Sequence, residues 1–190
     1  MLRKALNSRW PSKPTSRSRE LRSTPVIGPE KLLFIGGLHR SGTSILHRQL
    51  REHTEVSGFL NTGAPEDEGQ LLQTVFSAAK DYGGPGRFAF DPRARLCEHD
   101  AWALSREECA LLLRQWGYHW DLSRQCLIEK SPPNLIRGRF LQGLFPGCRM
   151  VFIVRHPVPV SLATLKWAGS TVAELLYHWA SAHSWFLEDL

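Results

Sequence analysis

The chain has 190 residues and a mass of 21.6 kDa, enough for one domain with its own hydrophobic core. Hydrophobic residues make up 42% of the sequence, an ordinary value for a folded protein, and the net charge is +6. No apolar run approaches the roughly 18 to 20 residues of a transmembrane helix, and the first residues lack the apolar segment of a secretory signal.

The excess of positive charge lies entirely in the N-terminal segment. Residues 1–24 carry seven basic side chains and one acid, whereas the remaining residues carry 17 of each. A domain without net charge is not expected to bind nucleic acid as a polyanion. We therefore predict a basic, disordered tail at residues 1–28 and a domain at residues 29–190. The tail is interpreted as a solvated linker, with an organelle-targeting peptide as the alternative.

The four cysteines, Cys97, Cys109, Cys126 and Cys148, are scattered and form no CxxC pair. This pattern argues against a zinc site or a redox motif, and it is typical of core thiols in a reducing compartment. We therefore expect a soluble protein that requires no metal.

The predicted elements alternate between strands and helices along the chain. Strands are predicted at residues 31–35, 125–129 and 149–154, the last as a buried strand. Helices are predicted at residues 41–53, 66–80, 107–120, 135–145 and 172–190, with a further helix through Ser161 and Leu165, and residues 81–87 are predicted to be a loop. Strands separated by helices indicate an α/β fold of three layers (α/β/α) with a parallel sheet like that of P-loop NTPases.

The first strand and helix are joined by a glycine-containing loop that reads GLHRSGTS from Gly37 to Ser44. Thr43 stands where a nucleotide triphosphatase carries its lysine, so Arg40 is the candidate cation. The N-terminus of the following helix offers unpaired N–H groups to an anion. The candidate anion-binding residues are Gly37, Arg40, Ser41, Gly42, Thr43 and Ser44. The strand at 149–154 ends in Arg155 and not in a magnesium-binding acid, so the loop is predicted to bind an anion without a metal.

A second anion site is predicted at Arg155 and Ser161. Arg155 follows a strand at the carboxyl edge of the sheet, where ligands of parallel α/β proteins bind. Ser161 lies about one and a half turns into the next helix, and its hydroxyl could face the same side. Two separate anion sites suit a ligand that carries two separated phosphate groups.

Both segments resemble motifs of the sulfotransferase superfamily that uses 3′-phosphoadenosine-5′-phosphosulfate (PAPS). FIGGLHRSGTSILHRQL is similar to its 5′-phosphosulfate loop, and FIVRHPVPVSLAT is similar to its 3′-phosphate motif. The resemblance covers residues 31–190 and is closer to the branch of carbohydrate and tyrosylprotein enzymes. It implies sulfuryl transfer from PAPS to a hydroxyl or amine of a carbohydrate, a tyrosyl group or a small molecule. It also implies that the first loop holds the 5′ end, while Arg155 and Ser161 hold the 3′-phosphate.

The resemblance further implies which residues carry catalysis. Related enzymes have a catalytic glutamate after the first helix, and Glu68 is favoured over Glu66 for this role. The alternative is that both acids lie at the N-terminus of a helix and stabilise its dipole. Lys130 corresponds to the lysine that assists the leaving group, and its alternative is a surface lysine at a strand exit. Arg40 would polarise the phosphosulfate. Arg137 is predicted to be a solvated helix residue.

Two other functions remain open from the sequence. A nucleotide phosphotransferase with a P-loop would need a loop lysine and magnesium. A catalytically silent nucleotide-binding fragment is the second alternative, because the last helix stops without a capping signal and related enzymes continue further. The domain is therefore expected to be incomplete at its C-terminus.

Overall fold

A computed structural model describes residues 27–166 and 168–190, so the predicted tail lies almost wholly outside the described residues. Within these residues, four strands form one sheet in the order β2-β3-β1-β4, and every neighbouring pair is parallel. The strands are β1 (Leu32–Gly36), β2 (Val56–Gly58), β3 (Cys126–Lys130) and β4 (Arg149–Phe152). The α-helices are α1 (Thr43–Leu50), α2 (Glu98–Ala103), α3 (Arg106–Gly117), α4 (Gly138–Leu144), α5 (Pro157–Leu165) and α6 (Val172–Glu188). Short 3₁₀ turns lie at Pro29–Lys31, Pro65–Asp67, Gly69–Leu71, Ala79–Tyr82, Phe88–Phe90, Pro92–Ala94 and Pro132–Ile136.

The strand register brings the predicted site residues to one edge of the sheet. Ile35 lies beside Lys130 on β3, and Gly36 lies beside Phe152 on β4. The carboxyl ends of these parallel strands therefore meet, and the loops that follow β1, β3 and β4 leave the sheet side by side.

Two apolar clusters pack the sheet between layers of helix. The first contains Phe34 of β1 with Trp116 of α3, and both side chains are completely buried. The second contains Leu38, Phe88 and Ala182 of α6. Helices thus lie on both sides of a parallel sheet, which confirms the predicted α/β fold. Within the described ranges, no helix combines the length and apolar composition that crossing a membrane requires.

Residues 66–80 do not form the predicted helix and contain only 3₁₀ turns and irregular chain. Glu66 and Asp67 adopt positive φ angles of 53° and 50°, which a right-handed helix does not accommodate. The buried Gln73 amide also replaces helical hydrogen bonding, since it donates to the backbone oxygens of Gln70 and Phe76 and accepts from nearby backbone N–H groups. Local side-chain hydrogen bonds have therefore overridden an apolar spacing that favours helix.

Strand β4 is an edge strand and not the buried strand that the sequence predicted. Among the described residues it pairs with β1 alone, and its side chains alternate between exposed and half-buried. Val151 is 38% exposed, and Val154, which follows the strand, is 54% exposed. The continuous apolar run did not distinguish a central position from an edge position.

Arg137 is buried, contrary to the prediction of a solvated helix residue. Its side chain is 1% exposed, its Nε donates to Ala94 O at 3.0 Å, and its guanidinium lies 5.6 Å from the ring centre of Phe76. Burial lowers the pKa of Arg137 to about 10. Arg137 is the residue before α4 and faces the core, where the sequence pattern suggested a solvated position.

Candidate active site

The loop between β1 and α1 has a backbone that suits glycine at two positions. Gly37 has a φ of 149°, and a Cβ there would lie 2.6 Å from Ile153 O. Gly42 is the N-cap of α1 with a φ of 111°, and Arg40 also has a positive φ, 70°. The left-handed residues turn the chain sharply from the strand into the helix, as phosphate-binding loops do.

The N-terminus of α1 leaves polar groups available to an anion. The N–H groups of Ile45 and Leu46 both bond Gly42 O, so the earlier N–H groups of the helix have no intrahelical acceptor. Ser41 is 7% exposed, and within the described part of the chain its Oγ has no hydrogen-bond partner. Since buried hydroxyls are normally paired, an anion's oxygen would satisfy this group. The loop therefore fits a phosphate or phosphosulfate.

An open cleft of about 350 Å³ joins this loop to the end of β4 and to the Glu66–Glu68 segment. Its walls are formed by His39, Arg40, Gly42, Thr43, Ser44, Ile45, Arg48, Glu66, Glu68, Pro132 and Arg155. Arg155 donates from Nη1 to Arg40 O at 2.9 Å, which links the two predicted anion sites directly. The structure thus brings Arg40, Arg155 and both candidate bases into one cleft.

Ser161 is not among the residues that line this cleft. Its side chain is 1% exposed and faces a small separate cavity that it shares with His39 and His178. Its Oγ has no hydrogen-bond partner among the described residues. The Ser161 side chain therefore lines a different cavity from Arg155, although sequence spacing suggested one shared anion site.

Glu68 and Lys130 form a buried pair at the back of the cleft. Lys130 is completely buried; its Nζ donates to Glu66 O at 2.8 Å and lies 3.5 Å from Glu68 Oε1. Lys130 is thus neither a surface lysine nor a residue lining the cleft. Burial raises the pKa of Glu68, while the ammonium of Lys130 opposes that rise. Glu66, by contrast, is exposed.

Behind this pair lies a polar network that the sequence did not predict. Glu129 accepts from Ser131 Oγ and from Asn134 Nδ2, both at 2.5 Å. Burial raises the pKa of Glu129 to about 7, although these hydrogen bonds favour its charged form. The only local signal is an acid beside Lys130 in a strand that otherwise reads as apolar.

Two further residues at the cleft went unassigned in the sequence. Arg48 follows Ser44 by four residues, one helical turn, so this spacing could have placed it on the same face of α1. His39 both lines the cleft and makes an edge contact with Phe88, with ring centres 6.0 Å apart. Burial lowers the pKa of His39 to about 3, so its imidazole is neutral at ordinary pH.

The comparison with protein families agrees with this geometry. Residues 33–185 match the model described as the Sulfotransferase family, and this match includes both predicted anion loops. A search of curated proteins gave no significant match. Because the family match covers most of the chain and the sheet places the matched loops around one cleft, the chain belongs to the sulfotransferase family.

Proposed function

We propose that this protein transfers a sulfuryl group from PAPS to a hydroxyl or amine of an acceptor. Sulfuryl transfer is the general chemistry of its family. The observation that carries the proposal is the single cleft in which Arg40, Arg155 and Glu68 meet. The N-terminus of α1 supports an anion at one end of this cleft, and so does the Ser41 hydroxyl, which has no hydrogen-bond partner in the described part of the chain.

The loop residues bind the 5′ end of the donor in this proposal. Gly37 and Gly42 shape the backbone, while Ser41, Thr43 and Ser44 supply hydroxyl donors and Arg40 supplies the positive charge. When bound, PAPS supplies the sulfuryl group, which leaves the 5′-phosphate oxygen and bonds to the acceptor oxygen or nitrogen. Arg40 and the α1 N-terminus stabilise negative charge on the oxygen left behind.

Glu68 is the proposed base, with Glu66 as the alternative. A base must take the acceptor's proton as the new bond forms, and a carboxylate with a raised pKa performs this task better near neutral pH. Lys130 was assigned to the leaving oxygen by resemblance, and that role stays a prediction. Its contacts favour a different contribution, because its ammonium holds the Glu66–Glu68 segment from behind.

Arg155 is proposed to bind the 3′-phosphate, whereas Ser161, which the resemblance assigned to the same phosphate, lines the neighbouring small cavity. Arg155 is exposed in the cleft and fixed by its bond to Arg40 O. Replacement by alanine should weaken binding of 3′-phosphoadenosine-5′-phosphate (PAP) by about 10- to 100-fold, the worth of charge-assisted hydrogen bonds. Binding of AMP, which lacks the 3′-phosphate, should weaken much less, through loss of the Arg155 bond to Arg40 O alone.

Calorimetry with PAP and AMP tests this assignment. The matched control is Arg93→Ala, since Arg93 is an exposed arginine outside the cleft that pairs with Asp91. Equal affinity of the unaltered protein for PAP and AMP would contradict the 3′-phosphate clamp.

Transfer of labelled sulfate from PAPS across a panel of carbohydrate, tyrosyl and small-molecule acceptors tests the activity itself. We expect sulfate transfer that persists with a magnesium chelator. A nucleotide phosphotransferase would instead transfer phosphate, and the chelator would abolish that transfer. Binding of PAP without transfer to any acceptor would instead identify the catalytically silent alternative.

A further inference from the structure

Gln70 contacts the proposed base from inside the protein. Its side chain is 4% exposed, and its Nε2 donates to Glu68 Oε2 at 2.6 Å. Its Oε1 accepts from the N–H of Ala79 at 2.7 Å. A backbone N–H can donate only to the amide oxygen, so Ala79 fixes the direction of the amide and turns its nitrogen towards Glu68.

The backbone of Gln70 is anchored just as firmly to the sheet. Its N–H donates to Ser131 Oγ at 2.9 Å, and the Ser131 hydroxyl donates in turn to Glu129. Asn134 donates to both Glu129 and Ile35 O, which ties this network to the carboxyl end of β1. Gln70 therefore holds Glu68, and residues at the carboxyl ends of β1 and β3 fix the position of Gln70.

The two oxygens of Glu68 have different neighbours as a result. Oε2 accepts the short bond from Gln70, whereas Oε1 has the longer contact of 3.5 Å with Lys130 Nζ. A carboxylate accepts several hydrogen bonds, so Oε1 keeps capacity for a proton. The arrangement leaves one defined oxygen to act as base.

We propose that Gln70 is a positioning residue for Glu68, whose carboxylate it holds in one orientation to receive the acceptor's proton. This inference rests on the proposed role of Glu68 as the base. A donor to the carboxylate also favours its charged form, against the effect of burial. Among the described residues, the other charged and titratable groups that interact with Glu68 or line the cleft with it are Lys130 and Glu129 on β3, Glu66 on its own segment, His39 and Arg40 on the β1–α1 loop, Arg48 on α1 and Arg155 after β4. The adjacent Asp67 accepts instead from Thr62.

The test is the variant Gln70→Met, which keeps the length of the side chain and removes the amide. When kcat/KM is plotted against pH, we expect the acid limb of the curve to shift to higher pH by about one unit or more, because the carboxylate loses a charge-assisted hydrogen bond. kcat should fall while the KM for PAPS stays unchanged. A ¹³C NMR titration of Glu68, assigned with Glu68→Gln, should show the same upward shift.

The matched control is Gln73→Met, which alters another buried glutamine of the same segment. Gln73 bonds backbone groups and does not contact Glu68, so this variant should lose stability without moving the acid limb. If Gln70→Met does not fold, Gln70→Glu preserves an acceptor for the Ala79 N–H. Its second carboxyl beside Glu68 should also move the acid limb upward.

The outcomes separate this inference from the proposed function. An acid limb and an NMR titration of Glu68 that both match the unaltered protein would overturn the positioning role. Failure of the unaltered protein to sulfate any acceptor would overturn the proposed function. In that case the NMR titration still decides whether Gln70 holds the charged carboxylate.

Discussion

At the scale of single residues, Glu66 and Glu68 face the same cleft from different surroundings. Glu66 is exposed, whereas Glu68 is 7% exposed and contacts Lys130 and Gln70. An immobilised carboxylate loses less entropy than a solvated one when it takes a proton in a defined geometry. The surroundings therefore favour Glu68 as the base.

Replacement of each glutamate by glutamine distinguishes the two. Glu68→Gln should lower kcat by about 10²- to 10⁴-fold, the usual contribution of a general base, with PAP affinity unchanged. Glu66→Gln serves as the matched control and should change kcat by less than about tenfold, because its side chain is solvated. The measurements are steady-state kinetics and calorimetry with PAP. The reverse order of effects would assign the base to Glu66.

Some residues of the site could be predicted from sequence and others could not. Arg40 and Arg155 each follow a strand, and the ends of parallel strands share one edge, so their proximity followed from the order of elements. The direction of the Ser161 and Lys130 side chains depends on packing that the sequence does not encode locally. Arg137 is buried through a bond to Ala94, 43 residues away, which no local pattern indicates.

At the scale of elements, helix α6 supports the end of β4. The indole of Trp179 donates from Nε1 to Arg155 O at 2.9 Å, and α6 packs closely against α5. Arg155 in turn donates to Arg40 O, so a chain of hydrogen bonds runs from α6 to the β1–α1 loop. The position of the proposed 3′-phosphate clamp therefore depends on a helix that follows it in sequence.

Replacing Trp179 by phenylalanine should weaken this support without removing the aromatic packing. We expect a fall of about 3- to 10-fold in PAP affinity, equivalent to the net worth of about one hydrogen bond, and little change for AMP. The matched control is Trp185→Phe on the same helix, because Trp185 packs on the same apolar cluster but its ring contacts Arg95 and not Arg155. Equal losses in the two variants would mean that α6 acts through packing alone.

The elements themselves were predicted unevenly. The sequence predicted the positions of some elements to within a few residues, namely β1, α1, β3 and α5. Local apolar spacing and turn residues determine where these elements begin and end. β2 has only three residues and α2 only six, so neither produced a periodic signal. The helix predicted at residues 66–80 is absent for a different reason, because hydrogen bonds of the Gln73 side chain take the place of helical backbone hydrogen bonds.

At the scale of the whole molecule, the described part of the chain buries both histidines and carboxyl groups. Burial lowers the pKa of His39 to about 3 and the pKa values of His47 and His178 to about 4. Burial also raises the pKa of Glu129 to about 7 and raises that of Glu68. The structure therefore favours neutral forms at both types of site.

These shifts act on stability in opposite directions as pH changes. A histidine with a lowered pKa contributes stability that is present above pH 6.5 and is lost as pH falls towards its folded value. Glu129, with a raised pKa, contributes stability that is present below pH 4.5 and is lost as pH rises through about 7. In the part of the chain that the structure describes, four histidines have pKa values lowered by burial (His39, His47, His178 and His183), and they outnumber the two carboxyl groups with raised pKa values, Glu129 and Glu68. We therefore expect the free energy of unfolding to decrease below about pH 6.

His178 allows this balance to be measured at one site. It packs between Phe88 and Phe90, with ring centres 4.8 and 5.5 Å away, and among the described residues its Nε2 has no hydrogen-bond partner. His178→Phe should preserve the packing and remove the cost of keeping a neutral imidazole in acid. Between pH 7 and pH 5 the variant should lose about 2 kcal/mol less of its unfolding free energy than the unaltered protein does.

Urea unfolding at a series of pH values measures this difference. The matched control is His99→Phe, which removes an imidazole that is 75% exposed and lies outside the packing of His178. If His178→Phe also follows the unaltered curve, then His178 takes up its proton in the folded state without penalty. The acid sensitivity would in that case arise from His39 on the β1–α1 loop, His47 on α1 and His183 on α6, whose pKa values burial also lowers.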